Sequence, residues 1–269
     1  MRIAVAAGLL TGSIVLVAST FGAETIKEVR ELKVATAPGA ALSVQTANGG
    51  IEIVPTDSSE MRIKATVSAK SKERLEAVRV SASNDTANGN DVRVDFPAPV
   101  KGEEEGCSLV IEVPRATNVK LVTTNGGLSV SGTAGTASLD TSNGSVTIKG
   151  HDGPVKVRTS NGAVTASSIS GKAEVKTSNG PVTLHGAAQP FQIESSNGPV
   201  QVTLAPGFAG IIAMATSNGK VAFPKDAKVE SQSGNKGYGN AEAKISIGSG
   251  AESSSIRTSN GPVEVKAAD

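Results

Sequence analysis

Aromatic residues are scarce in this chain. They make up 2% of its 269 residues, with no Trp and a single Tyr. Globular cores and carbohydrate-binding clefts ordinarily use more of them, because aromatic rings supply large buried areas and stacking faces. An excess of charge of one sign is also lacking: the formal net charge is +1. A nearly neutral chain offers no electrostatic attraction to phosphate, so we expect no nucleic-acid partner.

Cysteine is nearly absent as well. The single residue, Cys107, excludes an intramolecular disulfide and any site built from several cysteines. It follows an acidic run at residues 103–105. Its position is compatible with a free reactive thiol or with a buried thiol in the following strand, and the sequence favours the buried thiol.

The first 23 residues are typical of a signal peptide. A short basic start at Arg2 is followed by an uncharged apolar run and then by the small residues Gly22 and Ala23 before Glu24. The alternative is an uncleaved membrane anchor. The apolar run of about 16 residues is shorter than the roughly 20 that span a bilayer, which favours cleavage.

A short repeat dominates the rest of the chain. Asn-Gly pairs recur at steps of 18 residues, and two later pairs follow after 21 and then 42 residues; a short fixed period of this kind is the signature of a solenoid. The pairs define a structural turn ladder made of Asn125, Asn143, Asn161, Asn179, Asn197, Asn218 and Asn260 with Gly126, Gly144, Gly162, Gly180, Gly198, Gly219 and Gly261.

Apolar residues keep the same frame as the turns. Around Asn161 they stand at Val155 and Val157 before the turn and at Val164 and Ala166 after it. A spacing of two residues indicates a strand with one face turned inward, so each repeat is two short strands. Burying four small aliphatic side chains contributes on the order of 6–12 kcal/mol. Ordering each residue costs roughly 1–2 kcal/mol, so a coil is stable only when stacked on others.

These patterns predict an all-β fold: a single-chain parallel β-solenoid (β-helix) with about 18–21 residues per coil, preceded by less regular strands. Strand parity places Thr159 and Asn161 inside and Ser160 outside, with the asparagines forming an internal polar ladder. We expect glycines such as Gly144, Gly162 and Gly180 to supply the positive φ of the turn.

The predicted organisation has three parts. Residues 1–23 are the signal peptide, residues 24–117 are an irregular β region that packs onto or extends the solenoid, and residues 118–269 are the regular solenoid. Strands are predicted at 61–67, 78–83, 92–96, 109–113 and 119–122, with a helix candidate at 70–77. Residues 231–250 are rich in Gly, Ser and Asn and are predicted to loop out. Residues 256–265 are predicted to close the array with a regular coil.

Three segments carry a family resemblance: LSVQTANGGIEI at 42–53, VIEVP at 110–114 and NVKLVTTNGG at 118–127, which leads into the Thr-Ser-Asn-Gly repeats. Together they resemble the bacterial putative-adhesin family with β-strand repeats, formerly classed as a domain of unknown function. The resemblance covers roughly residues 32–265. It implies an exported or envelope-associated, non-enzymatic β-solenoid, and the family label suggests adhesion. It supplies no catalytic residues to transfer.

The repeats offer few candidate catalytic or metal-binding residues. Parallel β-helices also carry polysaccharide-cleaving enzymes, which need carboxylates gathered on one outward face. Only Asp140 and Glu194 are acids on the outward file before the turns, and two coils separate them. His151 and His185 are predicted to be surface turn residues without metal partners. The sequence therefore predicts no catalytic, metal or cofactor site.

One outward file is uniform in chemistry. Ser129, Thr147, Thr165 and Thr183 occupy the same position on successive coils and are followed by Gln201. Such a hydroxyl file could contact glycans, a partner sheet or ice, although β-propensity explains it more simply.

The function predicted from these patterns is a non-enzymatic exported or cell-envelope protein, adhesin-like or scaffolding. It needs no cofactor. The patterns do not identify its partner, for which an envelope protein and a surface glycan are the candidates. Membrane contact is expected only through residues 1–23 if they remain uncleaved. The alternatives are a β-helix enzyme acting on polysaccharide and a structural or regulatory envelope component that assembles end to end.

The signal segment generates a direct prediction. Because residues 1–23 match an export signal and not the repeat, the mature protein should begin near Glu24. N-terminal sequencing of the protein recovered from its native compartment checks this. An intact Met1 on membrane-bound protein would instead establish an anchor.

Overall fold

The structure is a computed structural model that describes residues 13–15, 25–85, 89–102, 104–234 and 239–267. Within these ranges the regular secondary structure is β-strand apart from one short helix, α1 (Lys72–Ala77). The strands of the N-terminal part are β1 (Ser13–Val15), β2 (Ile26–Ala35), β3 (Ala41–Gln45), β4 (Ile51–Pro55), β5 (Glu60–Ala69), β6 (Arg79–Asp85), β7 (Gly89–Asp95) and β8 (Gly106–Val113).

The repeats that follow supply two strands per coil. They are β9 (Thr117–Asn125), β10 (Leu128–Ser131), β11 (Ala134–Asn143), β12 (Val146–His151), β13 (Val155–Asn161), β14 (Val164–Ile169), β15 (Ala173–Asn179), β16 (Val182–Ala187), β17 (Phe191–Asn197) and β18 (Val200–Leu204). The last six are β19 (Gly210–Asn218), β20 (Val221–Ala222), β21 (Lys228–Gly234), β22 (Ala241–Ile247), β23 (Ser253–Asn260) and β24 (Val263–Lys266).

These strands form two twelve-stranded sheets. Sheet A has the order β1-β2-β5-β8-β4-β10-β12-β14-β16-β18-β24-β20, and sheet B has the order β21-β22-β19-β23-β17-β15-β13-β11-β9-β3-β7-β6. Each coil contributes one strand to each sheet, and the repeats from β9 to β18 pair in parallel with equivalent residues opposite each other: Val157 lies between Leu139 and Val175. Bulges interrupt this register between Ala134 and Ala137 and between His185 and Ala187. The structure is therefore the predicted parallel β-solenoid.

The core lies between the two sheets and follows strand alternation. In β13, Val155, Val157 and Thr159 are buried whereas Lys156 and Arg158 are not. Phe191 is the largest of the fully buried side chains, and most of the others are Val, Ile and Leu. A core of aliphatic residues suits closely spaced parallel strands, because branched side chains pack well on a pleated surface.

The N-terminal strands belong to the same two sheets. β3 pairs in parallel with both β7 and β9, and β4 pairs in parallel with both β8 and β10. Beyond them the sheets end in antiparallel pairs, β2 with β5 and β6 with β7. Helix α1 packs at this end, where the Arg30 guanidinium donates to the carbonyl oxygens of Leu75 and Val78. The division of the chain at residue 118 remains a prediction.

The C-terminal coil is placed differently from our expectation. β23 lies between β17 and β19, and β24 lies between β18 and β20. The prediction that residues 256–265 close the array was therefore wrong: the last coil in sequence is the penultimate coil in space. Its backbone groups are paired on both sides, so the coil is fully integrated in the sheets.

The predicted loop at residues 231–250 was also wrong in its described part. β21 and β22 form an antiparallel hairpin, and β22 pairs with β19. Alternation supports this pairing, since Ala243 and Ile245 are buried and Lys244 is exposed. The hairpin covers the edge of β19, where unpaired backbone groups would otherwise be presented for association with other chains.

The predicted signal segment lies outside the described residues except for β1, whose backbone pairs antiparallel with residues Val29 to Glu31 of β2. Among the described residues, no helix has the length and apolar character needed to cross a membrane.

Cys107 lies in β8 and is fully buried. Burial raises the pKa of its thiol to about 12, although the nearby Arg30 charge acts in the opposite direction. A buried neutral thiol is a poor nucleophile. The prediction of a structural cysteine is confirmed, and the reactive-thiol alternative is not supported.

Candidate functional site

The asparagines of the repeat form a continuous hydrogen-bonded file at one corner of the solenoid. Each Nδ2 donates to the Oδ1 of its neighbour over 2.7 to 2.9 Å. The file begins with Asn48. In space it runs Asn48, Asn125, Asn143, Asn161, Asn179, Asn197, Asn260 and Asn218.

The predicted inward orientation of these asparagines was wrong. Asn161 and its equivalents on the other coils from Asn125 onward are exposed, as is the preceding Ser160. Alternation holds up to Thr159, which is buried, and ends there because the chain then turns the corner. Parity predicts which face a side chain occupies only while the strand remains extended. The ladder is therefore an external seam of amides and not an internal one.

Most of the buried threonines that precede the asparagines bond the turn of the neighbouring coil. Thr141 Oγ1 donates to the Gly126 carbonyl over 3.0 Å, and Thr159 Oγ1 donates to the Gly144 carbonyl over 3.2 Å. Buried hydroxyls are costly unless they are bonded, so these contacts fix the spacing between coils. Among the described residues, the equivalent hydroxyls of Thr177 and Ser195 have no hydrogen-bond partner.

The glycines of the ladder are required by close approach. A Cβ built on Gly126, Gly144, Gly162, Gly180 or Gly198 would lie less than 3.0 Å from the carbonyl oxygen of the corresponding glycine in the neighbouring coil. Gly219 and Gly261 are confined in the same way. The positive-φ explanation holds for Gly180 at 138° but is wrong for Gly144 and Gly162, whose φ lies outside the left-handed range.

His151 is placed differently from the prediction. It is 1% exposed, inside the corner opposite the asparagines, with Nδ1 2.8 Å from Thr133 Oγ1 and Nε2 2.9 Å from the Gly135 carbonyl oxygen. Burial lowers its pKa, so the ring is neutral at neutral pH and donates to the carbonyl through Nε2. His151 is thus a core residue, whereas His185 is exposed as predicted.

Outward charges on sheet B are arranged in pairs. Lys156 Nζ lies 2.8 Å from Glu174 Oε1, and Lys176 Nζ lies 3.1 Å from Glu194 Oε2. Hydrogen bonds from these lysines lower the pKa of both carboxyls. Asp140 is three strands away from Glu194, with β13 and β15 between them, so the structure does not bring the two acids together.

The described residues contain no group of three or more His, Cys, Asp or Glu side chains that could hold a metal ion. The hydroxyl file on sheet A is in register: Ser129, Thr147, Thr165 and Thr183 pair along the sheet and continue to Gln201. Gln201 donates to Glu264 Oε2 over 2.8 Å.

A groove that sequence reasoning missed opens on the outer face of sheet B beside the β21–β22 hairpin. Its volume is about 800 Å³. We call it the hairpin groove; Ala213 and Ala215 of β19 form its floor, Glu194 and Arg257 lie on one side, and Glu242 and Lys244 of β22 lie on the other. The sequence feature that indicates the groove is the pair of outward alanines. Their meaning depends on the position of β19 between β22 and β23, which the sequence did not predict.

The sequence profile of a known family, Toastrack DUF4097, matches residues 40–266. The chain belongs to this family. The match spans both the irregular N-terminal strands and the repeats, and it confirms the resemblance to the putative-adhesin proteins. No curated protein matches the sequence significantly.

Several solved structures are similar in outline to this Toastrack chain. A putative cell adhesion protein from Clostridium sporogenes ATCC 15579 has 11% identity and a TM-score of 0.37, covering 91% of this chain and 100% of that one. A putative adhesin from Parabacteroides distasonis ATCC 8503 has 12% identity and a TM-score of 0.36, covering 88% and 96%. One from Bacteroides fragilis NCTC 9343 has 8% identity and a TM-score of 0.31, covering 88% and 96%.

The packed corner generates a stability prediction. Gly162→Ala should lower the free energy of unfolding by at least about 2 kcal/mol, because the new Cβ must displace the Gly144 carbonyl. Ser160→Ala, two residues away and exposed, should change it by no more than about 0.5 kcal/mol. Denaturant melts of both variants check this. Equal effects would contradict the account of the corner.

Proposed function

We propose that this Toastrack protein is a non-enzymatic exported or cell-envelope protein whose rigid solenoid presents a polar surface to a partner. Its role is adhesin-like or scaffolding, and its partner is an envelope protein or a surface glycan. The signal-like character of residues 1–23 supports export. The observation that carries the proposal is the hairpin groove, an open polar recess beside the paired charges of sheet B.

The chemistry of that surface favours binding over catalysis. The carboxyls of Glu174 and Glu194 are each held by a lysine and have lowered pKa values, so neither suits a general acid at neutral pH. Glycosidic cleavage by two carboxylates needs a separation of roughly 5–10 Å. Asp140 lies three strand positions from Glu194, at about 4.8 Å per step, which exceeds that range.

The test combines location with turnover. The mature protein should co-sediment with envelope material and should leave the chain length of added envelope polysaccharide unchanged. Glu194→Gln and Asp140→Asn serve as matched variants in the turnover assay. Cleavage by the wild-type protein that either variant abolishes would replace the binding proposal with an enzymatic one.

A further inference from the structure

The hairpin groove exists because two outward side chains are short. Every other coil of sheet B from β11 to β23 carries at least one charged residue at the two outward positions before its corner, as in Lys156 and Arg158 of β13. In β19 the corresponding residues are Ala213 and Ala215. On the other side of β19, strand β22 places the charged residues Lys244 and Glu242 directly opposite these two alanines. The result is a trough one strand wide between two charged walls.

Arg257 is the charged group of this trough that is available to bind a ligand. It faces Glu194 on one side and Ala215 on the other. Glu194 is already bonded by Lys176 at 3.1 Å and by Gln192 at 3.2 Å. Within the described parts of the chain, the Arg257 guanidinium makes neither a hydrogen bond nor an ion pair, although its charge helps to lower the pKa of the neighbouring Glu194. Its planar fork of donors therefore remains open to a ligand, and such a fork matches a carboxylate in bidentate geometry.

A row of hydroxyls borders the same trough. Ser178, Ser196, Ser259 and Ser217 follow one another on β15, β17, β23 and β19, one step before the asparagine seam. Parallel strands space them about 4.8 Å apart. Each hydroxyl can donate one hydrogen bond and accept two, which suits the hydroxyls of a sugar chain lying across the strands.

We propose that the hairpin groove binds an acidic polysaccharide, with Arg257 pairing with a sugar carboxylate and the serine row contacting neighbouring sugar hydroxyls. This inference rests on the proposed function and names the chemistry of its partner. Glu194 lies beside the guanidinium and Glu242 lies one strand beyond Ala215, so a singly charged carboxylate is favoured over a phosphate monoester carrying nearly two charges.

A glycan also fits better than an acidic peptide. The floor strand β19 is paired on both sides by β22 and β23, so it offers no free backbone edge to which a peptide strand could add. The apolar lining residues Met214 and Ile256 are at most 2% exposed, so no pocket for apolar peptide side chains is available at the floor. Apart from the methyl groups of Ala213 and Ala215, the accessible groups are hydroxyls and charges.

The test is calorimetric titration of the mature protein with tetragalacturonate, using maltotetraose as the uncharged probe and tetraglutamate as the acidic peptide. Wild type should bind tetragalacturonate and neither of the others. Arg257→Gln should weaken this binding at least tenfold. Ala215→Glu should do the same by filling the floor and pairing with Arg257. Arg158→Gln, at the equivalent outward position three strands away, should change affinity less than twofold.

Other outcomes overturn the inference. They are no binding of tetragalacturonate by wild type, equal losses at Arg257 and Arg158, or equal binding of tetraglutamate. One outcome would reject this ligand and leave the proposed function standing. In it, wild type does not bind tetragalacturonate, and Arg257→Gln still co-sediments with envelope material. Tetragalacturonate binding without any envelope association would reject the proposed location instead.

Discussion

Every repeat passes through one narrow corner, where the α carbon of a glycine lies against the carbonyl of the glycine in the next coil. Nothing larger than hydrogen fits between Gly162 and Gly144, and the same holds along the ladder. The backbone is bonded there too: the Gly144 amide donates to the Asn161 carbonyl and the Gly162 amide to the Asn179 carbonyl, each over 2.9 Å. Because coils can approach this closely only without a Cβ, the corner sets the register that the valines, threonines and asparagines share.

The seam of asparagines and the buried threonines reinforce that corner from two sides. Amide bonds link Asn143, Asn161 and Asn179 on the outside, and Thr159 bonds the Gly144 carbonyl from within. A repetitive core of small aliphatic residues needs such fixed contacts, since uniform strands are otherwise prone to slip in register. Antiparallel strand pairs at both ends of sheet B then limit its exposed edges, which would otherwise recruit further chains.

Much of this architecture is readable from sequence because period and parity act locally. The 18-residue step and the alternating valines predicted parallel coils, and the buried Cys107 followed from its strand. Parity failed at Asn161 because the strand ends there. The placement of His151 inside the opposite corner depends on contacts with Thr133 and Gly135 that no local pattern encodes.

The insertion of β23 between β17 and β19 is also a non-local feature that the sequence did not show. The chain order of Asn197, Asn218 and Asn260 differs from their order in space. The hairpin groove was invisible for that same reason.

The central claim is that the corner is a continuous, solvent-resistant backbone stack although its asparagine side chains are exposed. Native-state amide hydrogen exchange measured by NMR tests it residue by residue. The amides of Gly126, Gly144, Gly162 and Gly180 donate to the asparagine carbonyls of neighbouring coils, so they should exchange as slowly as that of Val157 at the centre of β13. Exchange of these glycine amides at the rate of unprotected surface turns, with Val157 still protected, would contradict the account.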